Sequence, residues 1–140
     1  MGACQAKGDT VGEPGESNSK QWGGRSVEYV CPAPYEDVCK HLQFDSMPQL
    51  AVGQLVTEYK ATGNASGCKR DVGFIDGTPM EKEFGAEIEE TCIFAQENGH
   101  SYAITKSKTS AYMPVYRGSL LASKIPDCTD KCLVTFSCSY

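Results

Sequence analysis

The segment TCIFAQENGHSYAITK, residues 91–106, decides the fold that the sequence predicts. Two runs of strand-forming residues flank Asn98-Gly99, a dipeptide typical of the two-residue turn of a β-hairpin. With these two residues in the turn, apolar residues pair next to it and an acid pairs with a base further out. The expected pairs are Ile93 with Ile104, Ala95 with Tyr102, Thr91 with Lys106, and Glu89 with Lys108.

Three other stretches have the alternation of a β-strand. They are residues 26–31, residues 71–75 before the turn-forming Asp76-Gly77, and residues 132–140 at the end. In the last stretch we expect the even positions to face the core: Cys132, Val134, Phe136, Cys138 and Tyr140. The second half of the chain is therefore predicted to be mainly β.

Two helices are predicted between the first and second of these strands. The first follows Pro34 and has an apolar stripe at helical spacing, formed by Tyr35, Val38, Cys39 and Leu42. The second begins at Ser46 as N-cap, with Gln49 completing a capping box, and ends at Gly63. Its apolar face would be Met47, Leu50, Ala51, Leu55 and Tyr59. This order predicts an α+β fold, with an antiparallel sheet of about four strands and two helices on one face.

Length and charge limit the possible classes. The 140 residues fit one domain, placed at 26–140, after an irregular polar arm at 1–25 that Cys4 would tether. The net charge of −5 disfavours nucleic acid as a partner, and no apolar run is long enough to span a membrane. We expect a monomer.

The cysteine content is the strongest compositional signal. The chain has eight cysteines, at positions Cys4, Cys31, Cys39, Cys68, Cys92, Cys128, Cys132 and Cys138. An even set spread over a chain of this size predicts a disulfide framework formed in an oxidising compartment, with the pairing left open. Zinc is the alternative, but the C-x2-C spacing of structural zinc sites does not occur.

We therefore expect a secreted, extracellular domain whose fold is stapled by disulfides. The start Met1-Gly2 with Cys4 resembles an acylated N-terminus, but Ala6 stands where myristoylation requires Ser or Thr. Asn64-Ala65-Ser66 is an N-glycosylation sequon and makes Asn64 a candidate modification site.

Catalytic and metal-binding motifs are missing from the sequence. His100, after Asn98-Gly99, is interpreted as an exposed turn residue, and His41 is placed on the outer side of the first helix. The acidic residues lack a calcium-binding loop and are interpreted as a solvated strand edge: Glu81, Glu83, Glu87, Glu89 and Glu90. We predict no cofactor, no metal and no enzymatic activity.

The best interaction candidate is the segment 112–121. It places Tyr112, Met113, Tyr116 and Arg117 around a proline, and these residue types are enriched at binding surfaces. The alternative is that these side chains only cover the sheet.

The layout as a whole resembles the secreted cysteine-rich effectors of plant-pathogenic fungi, and within them the LARS type of avirulence effector. The resemblance rests on the eight cysteines, on Cys31 and Cys39 on either side of a helix start, and on helices followed by an antiparallel sheet. It implies a virulence factor that binds a host protein and is recognised by plant resistance proteins, or masks such recognition.

Two other classes stay open. The hairpin and Tyr29-x-Cys31 are similar to parts of microbial extracellular ribonucleases, which use a carboxylate, a histidine and an arginine. In that comparison Lys106 stands at the position of the acid histidine, and no arginine precedes Ile93. The third class is a secreted toxin or inhibitor that acts through residues 111–121.

Overall fold

Alternating strand residues form one antiparallel sheet in the computed structural model, which describes residues 4, 5, 23–46, 53, 56–111 and 115–140. The sheet has eight strands in the order β1-β2-β8-β7-β6-β5-β4-β3. The strands are β1 Cys4–Gln5, β2 Gly24–Cys31, β3 Val56–Ala61, β4 Lys69–Phe74, β5 Glu87–Gln96, β6 Gly99–Ser107, β7 Arg117–Lys124 and β8 Cys132–Ser139. The helices are α1 Tyr35–Cys39 and α2 Pro79–Phe84.

The predicted fold class is wrong. The sheet has about twice the expected number of strands, and both described helices are short. The predicted helix from Ser46 to Gly63 is replaced at its end by β3, where Val56, Thr57 and Tyr59 have strand-forming side chains. The start of that predicted helix, at 47–52, lies outside the described residues.

The disulfide framework is also wrong for the described residues. Seven cysteines, all except Cys4, are described with side chains, and each of them is a free thiol. Packing of the sheet against the helices therefore holds the described fold without cross-links. The strand β1 attaches the N-terminal arm by backbone pairing, with Cys4 opposite Tyr29 of β2.

The hairpin of β5 and β6 is confirmed, but its register differs from the prediction. The offset is two residues next to the turn and three at Thr91, which faces Ala103 rather than Lys106. Ala95 faces His100 rather than Tyr102, because Glu97 and Asn98 form the turn and Gly99 begins β6. Gly99 has φ +149°, and a Cβ there would overlap the carbonyl oxygen of Leu120 on β7. The glycine is needed for the close approach of the next strand rather than for the turn.

Three groups of buried side chains make up the core. The first lies under α2, the second lies between α1 and the strands β7 and β8, and the third lies between the first two groups. The group at α1 contains Val38, Cys39, Leu42, Ala122 and Cys132. The predicted stripe of α1 is thus confirmed, since three of its members face the sheet.

Candidate functional site

A groove runs along α1, and residues of β2 and β8 complete its lining. Its volume is about 430 Å³, which is within the range of small-molecule sites. The floor is mostly apolar and the rim carries polar groups. The floor consists of Cys31, Ala33, Val38, Leu42 and Val134.

The rim of the groove carries Tyr29, Asp37 and His41. Asp37 and His41 are exposed and lie four residues apart, which places them on one side of the helical segment. Tyr29 comes from β2, so the polar groups lie on both walls. A mostly apolar floor with a few polar groups that converge on it is the usual design of a binding pocket.

Thiols lie beneath and beside the groove. Cys31 and Cys132 are directly opposed on β2 and β8 and form a hydrogen bond. Burial, with the nearby Cys31 and Cys39 thiols, raises the pKa of Cys132 to about 11. Burial also raises the pKa of Cys39, against the hydrogen bond from Tyr35. Because the thiolate is the reactive form, Cys39 and Cys132 are poor nucleophiles at neutral pH.

A second polar group is buried inside the sheet and involves Arg70 of β4. Its Nε donates to Oε1 of Glu90 on β5 at 2.5 Å, and its Nη1 donates to the carbonyl of Phe44 at 2.8 Å. Burial raises the pKa of Glu90, and the guanidinium opposes this shift. The guanidinium also lies near three aromatic rings, with its carbon 4.3 Å from the centroid of Phe44, 4.8 Å from that of Tyr102 and 5.9 Å from that of Tyr59.

His100 completes this cluster and is held as one neutral tautomer. Its Nδ1 lies 2.7 Å from the carbonyl oxygen of Leu42, so Nδ1 carries the proton and donates it. Its Nε2 then accepts from Arg70 Nη1 at 3.3 Å. Burial lowers the pKa of His100 to about 4, with a further contribution from the charge of Arg70 and against the bond to Leu42.

Aromatic hydroxyls surround the cluster. Burial raises the pKa of Tyr59 to about 12, and its hydroxyl donates to the carbonyl of Phe44. Burial likewise raises the pKa of Tyr102 and of Tyr116, and the Cys138 thiol adds to the shift at Tyr116. These tyrosines therefore stay protonated at physiological pH.

The Arg70 cluster is sealed from solvent. Arg70 is 2% exposed and His100 is 0% exposed. Among the described residues no buried side-chain nitrogen or oxygen lacks a hydrogen-bond partner. Its bonds run to the carbonyls of Leu42 and Phe44, so the cluster ties the segment after α1 to the sheet. We assign it a structural role.

Two sequence predictions fail at this cluster. His100 is fully buried rather than an exposed turn residue, because the observed register moves it into β6 and onto the core face. Glu90 is also buried, and β5 lies between β4 and β6 rather than at an edge. Of the other acidic residues, Glu81 and Glu83 belong to α2. The sequence does contain a signal for the burial of these two residues, which is their spacing from apolar neighbours. Arg70 is followed at intervals of two by Val72 and Phe74, so the three share one face of a strand. Glu90 lies in the same way between Ile88 and Cys92.

The predicted interaction segment is divided by the structure. Tyr116 is partly buried, with its ring 5.5 Å from that of Phe84 and stacked on Tyr140, so it covers the sheet. Arg117 is exposed at the start of β7. Tyr112 and Met113 lie outside the described residues.

Asn64 of the sequon has a structural contact. Its Oδ1 accepts from the backbone N–H of Phe44 at 2.8 Å, and its Nδ2 donates to Gln43 Oε1 at 2.7 Å. The residue is exposed. Asn64 therefore supports the segment after α1 from outside, while Arg70 supports it from inside.

Two further observations concern the part of the chain that the structure describes. No three His, Cys, Asp or Glu side chains there are placed to share a metal ion. No helix there has the length and apolar character needed to cross a membrane.

Comparisons with known proteins show the fold. No protein-family model and no curated protein matches the sequence. Norcoclaurine synthase from Thalictrum flavum has a similar structure, with a TM-score of 0.64 at 16% identity over 91% of this chain and 75% of that chain. A Bacillus thuringiensis protein has a TM-score of 0.59 at 17% identity, over 82% of this chain and 75% of that chain.

CalU16 from Micromonospora echinospora is a further structural neighbour. It has a TM-score of 0.58 at 10% identity, over 98% of this chain and 70% of that chain. At these identities the likeness is one of fold alone, the arrangement known as the Bet v 1-like fold.

Proposed function

We propose that this chain is a binding protein that takes a small, mostly apolar molecule into the groove along α1. The observation that carries the proposal is the combination of an apolar floor, a polar rim and a volume of about 430 Å³. A protein of the same fold, norcoclaurine synthase, is known in complex with a transition state analogue, so this architecture accommodates small molecules.

We propose binding rather than catalysis because of where the acid–base groups lie. Glu90 and His100, whose pKa values are shifted by burial, are sealed within the Arg70 cluster, and both are hydrogen-bonded to Arg70. Groups that cannot touch a bound molecule cannot transfer a proton to it. The groove itself presents Asp37, His41 and Tyr29, which suit orientation of a ligand by hydrogen bonds.

The experiment is a titration with Nile red, a neutral apolar dye whose fluorescence rises in apolar surroundings. Val134 on the floor is changed to Trp, which fills the groove. The matched control is Leu133→Trp, because the neighbouring residue on β8 points to the other face of the sheet. We expect Val134→Trp to weaken dye binding about tenfold or more and Leu133→Trp to leave it within about twofold. Equal effects, or no dye binding by the parent, would refute the proposal.

We also propose the biological setting that the sequence suggests: a secreted effector that acts on a host protein. Support comes from the Asn64 sequon, whose asparagine is exposed. The test is expression through a eukaryotic secretory pathway, followed by intact mass. Secretion with a glycan that disappears in Asn64→Gln is expected. Retention of the protein inside the cell would count against the setting but would leave the groove proposal untouched.

A further inference from the structure

Among the described residues that line the α1 groove, Asp37 is the one Asp, Glu, Lys or Arg, and it is exposed at the rim. No hydrogen bond or ion pair joins this carboxylate to another side chain in the part of the chain that the structure describes. From this we infer, building on the proposed function, that the groove selects molecules with an apolar body and a positively charged end.

The neighbouring charges support this selection. The basic residues closest to α1 face elsewhere: Lys124 lies over the ring of Tyr35, 5.3 Å from its centroid, and Lys40 lines a different hollow. Neither contributes to the wall of the groove. The net charge of −5 adds a general attraction for cations. An organic cation thus meets a carboxylate at the rim, and no Lys or Arg is among the described residues that line the groove.

The apolar floor decides the other half of the ligand. Val38, Leu42 and Val134 offer only apolar contact, and Ala33 leaves space beside them. A small inorganic cation would gain nothing from this surface, whereas an alkyl or aryl amine would bury its body there and leave its ammonium group at Asp37. The ligand class is therefore an amphiphilic amine rather than a metal ion, a fatty acid or a sugar.

The test uses octylamine, octanol and octanoate at pH 7, three molecules with the same chain and different ends. Each competes with Nile red for the parent protein. We expect octylamine to bind about fivefold more tightly than octanol, and octanoate to bind more weakly than octanol. The preference for octylamine should shrink in high salt, because added salt screens the exposed carboxylate.

Two variants separate the rim charge from the general charge of the protein. Asp37→Asn should bring the ratio of octylamine to octanol affinity close to one. Glu36→Gln removes the same charge from the neighbouring residue, which lines other hollows, and should keep the ratio. An equal loss in both variants would show that only the overall charge acts, and it would overturn the inference.

The outcomes distinguish the inference from the proposed function. If octanol displaces the dye and octylamine is no better, the groove binds apolar molecules and the selection for cations is wrong. If none of the three displaces the dye, both fail. A dimer found by sedimentation, with dye binding that falls as the dimer forms, would assign the groove to a second copy of the chain and would also overturn the inference.

Discussion

Two regions contact the segment that follows α1, and they differ in whether their charged groups are buried or exposed. Around Arg70 the charged and titratable groups are buried, paired and sealed. Along the α1 groove the polar groups, with the Asp37 carboxylate among them, lie at an exposed rim above an apolar floor. Residue types usually associated with catalysis occur in both regions, but solvent reaches only those of the groove. Access, rather than residue type, separates a structural cluster from a candidate binding site.

The largest effect in this comparison should come from Arg70→Met. The change leaves the Glu90 carboxylate buried without its donor. It also removes one donor from the carbonyl of Phe44, which keeps the Tyr59 hydroxyl. Removing one partner of a buried ion pair lowers the free energy of unfolding by roughly 3–5 kcal/mol. Urea denaturation measures it, and Lys69→Met on the exposed face of the same strand is the control.

A second variant keeps this prediction testable if Arg70→Met does not fold. The double change Arg70→Met with Glu90→Leu removes both charges and should recover part of the lost stability. If Arg70→Met were as stable as the control, the cluster would not be what holds the segment after α1.

His100 should make the stability of the protein depend on pH. The folded-state pKa of about 4 lies below the ordinary value of 6.5. Below pH 6.5 the unfolded chain therefore binds a proton that the folded chain does not bind until about pH 4. Stability should fall as the pH drops through this window, by up to about 3 kcal/mol from this residue.

The measurement is the free energy of unfolding at pH 7 and pH 4.5 for the parent, His100→Gln and His41→Gln. We expect the difference between the two pH values to be smaller in His100→Gln, which has no imidazole to titrate at this site. His41 is exposed, so His41→Gln should keep the difference of the parent. The same pH dependence in all three proteins would show that His100 is not held neutral.

Asn64 should have a smaller structural effect from the outer side of the segment. Asn64→Ala removes the bonds to the Phe44 N–H and to Gln43. At about 0.5–1.5 kcal/mol for each bond, we expect a loss of about 1–3 kcal/mol, with the low end favoured by solvent exposure. Asn64→Asp keeps the acceptor for Phe44 and should lose less. Thermal melting of the three proteins at neutral pH checks the order.

Sequence patterns predicted the elements whose apolar residues repeat at a clear period. These are β2, the stripe of α1, β4, the β5–β6 hairpin and β8. The register was wrong because Gly99 serves the contact with Leu120, a residue of β7 that local turn rules do not consider. The predicted second helix failed at Val56 to Tyr59, where strand propensity and pairing with β4 outweigh helical spacing.

The Arg70 cluster and the α1 groove were harder to predict from the sequence than the strands. Arg and Glu are seldom buried, so the prediction of a solvated strand edge at Glu90 follows a general rule, and the Arg70 cluster is an exception to that rule. The α1 groove joins Asp37 to Val134, residues far apart in the chain, and no local pattern connects them. The disulfide prediction failed for a related reason: a count of cysteines gives no information on which of them the sheet brings together.

The smallest effect on stability should come from the rim of the groove. This prediction contrasts most strongly with the large effect expected at Arg70. The Asp37 side chain is exposed, and its carboxylate has no bonded partner among the described residues, so Asp37→Asn should change the free energy of unfolding by no more than about 0.5 kcal/mol. The same substitution should remove the preference of the groove for amines over alcohols. A residue of a binding site should affect ligand binding more than it affects stability. Substitution of Arg70 should do the reverse, with a large loss of stability and no selective effect on ligands. If Asp37→Asn destabilised the protein as strongly as Asn64→Ala, the rim carboxylate would belong to the support of α1, and the two regions would share one structural role.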